Sequence, residues 1–215
     1  MKKTFKEQLK EDFNTTALVM MPLCVGINIV GQFFTQSLRL PLWLNIIGTI
    51  LAGVVAGPWV GFATGVLTNV VASFTIEGPT ALAFAVVNGV HGLVAGFLAG
   101  KGFYRTLPKA MLAGFIGKLC DIPVGAPIVV YMFGGITTGA ASAFTAFMMA
   151  TGNTIWSSVI STSLLIDGAD KVLSAAIAFL IIKALPKRTL YRFSRAPFTV
   201  LGEKPEENVE EPVPA

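Results

Sequence analysis

Long apolar runs alternate with short polar joints along this chain, and the runs have the length a helix needs to cross lipid. A hydrocarbon layer about 30 Å thick takes about 20 helical residues. Runs over 15–34, 42–56, 59–74, 80–99, 108–132 and 167–185 meet or approach that length. Gly57-Pro58 joins the second and third so tightly that they must form an antiparallel pair. The pattern predicts an all-α integral membrane protein with a bundle of six transmembrane helices. Residues 134–165 are mixed, rich in Gly, Thr, Ala and Ser, and Thr151-Gly152-Asn153 breaks them near the centre. They read as a long, partly helical outer loop between helices five and six, covered by protein or water because irregular backbone is otherwise excluded from lipid. The expected division is a segment over 1–14, a membrane domain over 15–192 and a disordered, acidic, Pro-rich tail over 193–215.

Composition supports this. Hydrophobic residues make up 53% of the chain and charged ones 13%, with a mean hydropathy of +0.71. One soluble core of this size does not need so much apolar surface.

The basic residues set the orientation. Lys2, Lys3, Lys6 and Lys10 precede the first run. Lys101, Arg105 and Lys109 lie between the fourth and fifth, and Lys183, Lys187, Arg188, Arg192 and Arg195 follow the sixth. An even number of crossings puts all three groups on one side, leaving Arg39 and Lys171 near the other. The positive-inside rule then places both termini in the cytoplasm of a multi-pass cell-membrane protein. The net charge of +4 is juxtamembrane anchoring, which argues against a nucleic-acid partner. Glu7, Glu11 and Asp12 occupy what a cleaved leader would keep basic. Cys24 and Cys120 fall inside runs, so neither a disulfide framework nor a metal site is indicated.

Polar residues inside apolar runs carry the functional signal. Lys118 and Asp121 are three positions apart on one helical face and are expected to neutralise each other, as a structural ion pair or as the polar floor of a ligand pocket. Pro123 and Pro127 follow and free helical carbonyls. His91 is the single histidine, with Asn88 one turn before it; packing or ligand contact both fit. Asn28, Asn45, Asn69 and Asn153 serve as interhelical hydrogen-bonding groups or as contacts for an uncharged, heteroaromatic or amide-bearing ligand. Trp43 and Trp156 lie on the outer side and are placed to stack on a planar substrate or to join an interfacial belt, whereas Trp59 belongs to the belt. Asp167, Asp170 and Lys171 open the sixth run, as a helix cap or as a gating group. Gly57, Gly61 and Gly65, and Gly92, Gly96 and Gly100, form small-residue stripes for close packing or for a partner.

There is no GxxxxGK phosphate loop, no GxSxG elbow and no HExxH, so neither ATP hydrolysis nor intramembrane hydrolysis is supported. The run from Leu42 to Asn69, LWLNIIGTILAGVVAGPWVGFATGVLTN, resembles the second and third spans of substrate-binding S components of energy-coupling factor (ECF) transporters. Phe133-Gly-Gly-Ile-Thr-Thr-Gly, Ala150-Thr-Gly-Asn and the stretch from Asp170-Lys171 to Leu185-Pro-Lys-Arg188 are similar to the same group's last third. The resemblance implies six helices, no catalysis and no cofactor on this chain. It implies a vitamin or related micronutrient held near the outer face, with cobalamin the first candidate. The resemblance places the ligand among the first, third and fifth loops and spans four to six. The candidate contacts from the polar and aromatic positions above are Trp43, Asn45, Asn69, Asn88, His91, Lys118, Asp121, Asn153, Trp156 and Asp170. The implied partners are a membrane coupling subunit and two ATPases that consume ATP. Docking in this family uses a small-residue stripe on the first span; the comparable positions here are Ala17, Met21 and Cys24, with Gly57, Gly61 and Gly65 as a second candidate face. The rival reading is a stand-alone proton-coupled carrier with Lys118, Asp121 and His91 as the relay.

Overall fold

The computed structural model describes residues 5–137, 141–193 and 195–202. A short helix α1 (Phe5–Asp12) leads into α2 (Thr15–Ser37), whose N-terminus is capped by the Asn14 side chain accepting from the Ala17 N–H at 2.8 Å. There follow α3 (Ile47–Ala56), α4 (Pro58–Thr75), a 3-10 turn (Pro79–Phe84) that runs into α5 (Ala85–Gly100), and α6 (Leu107–Phe133). The last third holds α7 (Ala141–Ala150), α8 (Ile155–Thr162), α9 (Gly168–Ala184) and α10 (Lys187–Leu190). Among the described residues, three helical stretches are long and apolar enough to cross a membrane, namely Thr15–Ser37, Pro79–Gly100 and Leu107–Phe133.

All ten residues of α3 are buried, and it packs against α2, α4, α5 and α9. So central a helix must be approached closely, and glycine makes that possible. A Cβ on Gly61 would stand 2.6 Å from the Gly92 carbonyl oxygen, and one on Gly92 would collide with the Gly61 backbone. Gly57 separates α3 from α4 with φ of +126°, a conformation in which a side chain is strained, and Pro58 then starts α4 at a position where no N–H is missed. The outer surface is the reverse: Leu18, Val19, Leu23, Val30, Phe33 and Phe34 of α2 are all exposed. An apolar face of that extent belongs in lipid.

Two element boundaries differ from expectation. The second run, 42–56, is helical only from Ile47; residues 40–46 form an irregular loop in which Leu44 takes φ of +47°. The sixth run begins much earlier than residue 167. Helix α8 passes through a π-helical turn at Ser163–Asp167 and continues into α9, giving one rod from Ile155 to Ala184, about 45 Å at helical rise. Asp167, Asp170 and Lys171 therefore sit well inside a helix and do not open one. Its N-terminus lies at Thr154, whose hydroxyl accepts from the Ser157 N–H. What remains of the expected outer loop is α7 and its flanks.

The tail boundary moves as well. Thr199 donates to the Val54 carbonyl at 2.9 Å, Arg195 Nε to Asp12 Oδ1 at 2.7 Å, and Arg105 to the Phe198 carbonyl at 2.9 Å. Residues 195–202 thus close the end of the bundle that carries the α3–α4 turn, and Asp12 of the N-terminal segment is buried there. Lys2, Lys3 and the acidic stretch over 203–215 lie outside the described residues. The same end gathers Lys101, Arg105, Lys183 and Lys187; the opposite end holds loop 38–46 and Glu77.

Gly92→Ala is expected to cost about 1–3 kcal/mol, because backbone must move to admit the methyl group. Gly26→Ala, where nothing lies within 4 Å, leaves stability unchanged or slightly raised. Thermal unfolding of the two purified variants in detergent checks the contrast.

Candidate functional site

Because α3 starts late, the end of the bundle with loop 38–46 is not filled by helix. A cavity of about 140 Å³ lies there, lined by Trp43, Asn45 and Ile46 from the loop and by Asn69 and Glu77 from α4 and its following turn. Phe84, Val87, Asn88 and His91 add the α5 side, Lys118, Asp121 and Gly125 the α6 side, and Thr145, Thr162, Ser163, Asp167 and Lys171 the last third.

Two buried ionic contacts meet on α6, and they are not the pair the sequence suggests. Lys118 and Asp121 do not neutralise each other. Lys118 Nζ pairs with Asp167 Oδ2 at 3.1 Å across to the π turn, and Asp121 Oδ2 sits 2.7 Å from His91 Nδ1 on α5. Helical spacing puts the two on one face, but each points to a different neighbouring helix. Since a carboxylate only accepts, His91 donates from Nδ1. His91 and Asp121 are each 1% exposed and Lys118 is 6% exposed. Asp121 Oδ1 is buried with no hydrogen-bond partner among the described residues. The His91 ring lies flat against Gly117, where any Cβ would strike it.

The amides behave mostly as glue. Asn88 donates to Asn69 Oδ1 at 2.8 Å and accepts from Thr49; Asn69 donates to the Ala81 carbonyl at 2.9 Å. Asn28 binds Thr49 and Thr68 and accepts from the Gly48 N–H. Asn69 and Asn88 line the cavity with most of their capacity already used, whereas Asn28 lies behind it. Asn45 lines it and accepts from Lys171 at 3.4 Å.

Three predicted contacts fall elsewhere. Asp170 is fully buried but not at the cavity wall: its Oδ1 accepts from the Trp43 and Leu44 N–H groups at 3.0 and 2.9 Å, and its Oδ2 pairs with Lys171 at 2.8 Å. It holds the irregular loop to α9. Asn153 is exposed and closes the α7–α8 turn through Met148 and Thr151. Trp156 is 38% exposed and packs edge-on against Tyr131 at 5.7 Å, outside the cavity. Of the two outer tryptophans only Trp43 lines the site.

The expected docking stripes also turn inward. Ala17, Met21 and Cys24 are buried against the rest of the bundle, with the Cys24 carbonyl seated on Gly48. Gly57 packs on the Asp12 carboxylate, Gly61 on Gly92 and Gly65 on Asn88. Small residues were correctly read as close-packing positions, but the helices they admit belong to this chain.

Glu77 was missed, because an acidic residue next to Gly78-Pro79 reads as an ordinary loop. In the fold it lines the cavity and its carboxyl accepts from the Gln32 amide of α2. Burial pushes its pKa above the ordinary 4.5, with the Gln32 hydrogen bond and the Lys171 charge opposing that shift.

These features define a membrane-embedded binding protein: a lipid-facing helical bundle with one end hollowed into a cavity whose polar groups are buried and largely paired. The chain belongs to the family of substrate-specific components of ECF transporters, whose family model matches residues 16–192. That is a family of transporter subunits and not of enzymes. No curated protein and no solved structure matches the chain.

Two variants probe the site. A carboxyl whose folded-state pKa is raised contributes stability that is fully present below pH 4.5 and is lost as pH rises through the raised value. Glu77→Gln keeps the neutral hydrogen bond at every pH. Its unfolding midpoint relative to the native chain should therefore climb as pH rises above 4.5 and through the raised pKa. Gly117→Ala displaces the His91 ring, and a calorimetric midpoint below that of the native chain is expected; an unchanged one would show that the ring can step aside.

Proposed function

We propose that the chain is the high-affinity binding subunit of an ECF importer for a vitamin or related micronutrient. In this reading it crosses the membrane six times with both termini in the cytoplasm. The end gathering the basic residues faces inward, and the cavity opens beneath the outer surface. A membrane coupling subunit and two ATPases supply the energy, and docking on them releases the ligand inward. The observation that carries the reading is the cavity itself: buried polar side chains converge on a hollow at the end opposite the basic cluster, in a chain of this family.

Volume bears on the ligand. A cavity of about 140 Å³ is on the scale that admits a one- or two-ring molecule. A corrin ring is far larger, which counts against cobalamin. Trp43 and Phe84 bring aromatic surfaces to the wall, and the Phe84 ring is itself stacked on Phe133 at 5.5 Å. A planar ligand suits such walls.

Solvent extraction of the purified chain followed by mass spectrometry is expected to release a small planar micronutrient. Cells should take that compound up only when the coupling subunit and ATPases are co-expressed. Uptake by the chain alone that collapses with an uncoupler would replace this reading with a proton-coupled carrier. Trp43→Ala is expected to weaken retention by about tenfold, equivalent to about 1.4 kcal/mol, while Trp156→Ala leaves it unchanged.

A further inference from the structure

Lys118 and Asp121 line the cavity with unused hydrogen-bonding capacity of opposite kinds. Lys118 Nζ carries three donors, one of which is directed at Asp167. Asp121 has one oxygen taken by His91 and the other, Oδ1, buried without a partner among the described residues. Asn69 and Asn88 are largely spent on the bundle, Asp170 on the loop, and two of the three Lys171 donors on Asp170 and Asn45. Lys118 and Asp121 thus set a donor and an acceptor three residues apart on one face of a single helix. Both belong to side chains at least nine-tenths buried, so water is a poor substitute.

We propose, resting on the binding-subunit reading above, that the cavity selects an uncharged planar heterocycle presenting a cyclic amide edge. The ring carbonyl accepts from Lys118 Nζ, and the adjacent ring N–H donates to Asp121 Oδ1. The charge balance agrees. Lys118 is already compensated by Asp167 and Lys171 by Asp170, so a carboxylate ligand would meet Asp121 and Asp167 as repelling neighbours. An ammonium ligand would satisfy Asp121 but leave Lys118 facing a second cation. A neutral edge with acceptor and donor side by side meets neither penalty and fills both vacancies. Trp43, which lines the same cavity, offers a face for the ring.

Quinazolin-4-one and its 3-methyl derivative test this, since methylation removes the N–H and keeps the carbonyl and the two-ring frame. Binding to ligand-stripped protein in detergent is followed by quenching of Trp43 fluorescence, with Trp43→Phe as the blank. The parent compound is expected to bind at least about tenfold more tightly than the methylated one. Asp121→Asn should collapse that ratio to about one, and Lys118→Met should weaken both compounds together. A melting curve confirms that each variant is folded; if Asp121→Asn does not fold, the ratio in the native protein decides alone. Equal binding of the two compounds, binding of neither, or tighter binding of quinoline-4-carboxylate overturns the proposal. If the extracted native molecule lacks a cyclic amide edge, this assignment falls and the binding-subunit reading stands. If no molecule is retained and partner-dependent uptake is absent, the binding-subunit reading itself fails.

Discussion

The Asp170 carboxylate is the contact on which the cavity depends. Non-helical backbone packed against protein leaves N–H groups that need partners. Loop 40–46 is such a backbone, and Asp170 accepts from two of its N–H groups while Lys171 balances its charge. With those groups satisfied, α3 can begin at Ile47 and not several residues earlier. The space that the missing helical turns would fill is the cavity, walled by Trp43 and Asn45 from the same loop. A buried acid that touches no ligand thus decides whether there is a site at all.

The remainder of the wall depends on close packing elsewhere. Without a hydrophobic difference between helix and lipid, helices associate through contact area and hydrogen bonds. Here α4 and α5 meet backbone to backbone at Gly61 and Gly92, and the amide chain Asn28–Thr49–Asn88–Asn69 ties α2 to α5 just above. The amides that face the cavity are therefore held in place by the same bonds that spend their capacity. In the proposed reading, recognition passes to the ionic side chains of α6.

Much of this was legible in the sequence, within limits that have physical causes. Apolar run length located α2, α4, α5 and α6 to within a few residues, since hydropathy and span length are tied by bilayer thickness. Polar residues in apolar runs picked out seven cavity residues, from Trp43 and Asn45 to Lys118 and Asp121, because burial of such groups is costly anywhere. The partners were not legible. Lys118 and Asp121 look like a pair along one helix, but His91 and Asp167 come from helices whose rotation no spacing reveals. Gly61 and Gly65 were readable as small and unreadable as inward-facing, since a stripe does not say whose helix it meets. Thr151-Gly152-Asn153 marked a real turn, yet the rod beyond it runs unbroken through Asp167 because a π turn absorbs the polar residues without ending the helix.

Helix α6 concentrates the chemistry for a reason visible in its own composition. Pro123 and Pro127 cannot donate, so the carbonyls of Leu119 and Pro123 lose their intrahelical partners close to Asp121 and Gly125. Such a helix would be a poor support for ligand contacts were it not clamped from outside. Gly114 seats it directly on the Lys171 backbone of α9, one residue from Asp170, and Gly117 seats it on the His91 ring of α5. The residue that fixes the loop and the α6 residues that line the cavity are therefore connected through a single backbone contact. A side chain at Gly114 would disturb Lys118 and Asp121 on one side and the Asp170-held loop on the other, so packing and recognition on α6 are not separable.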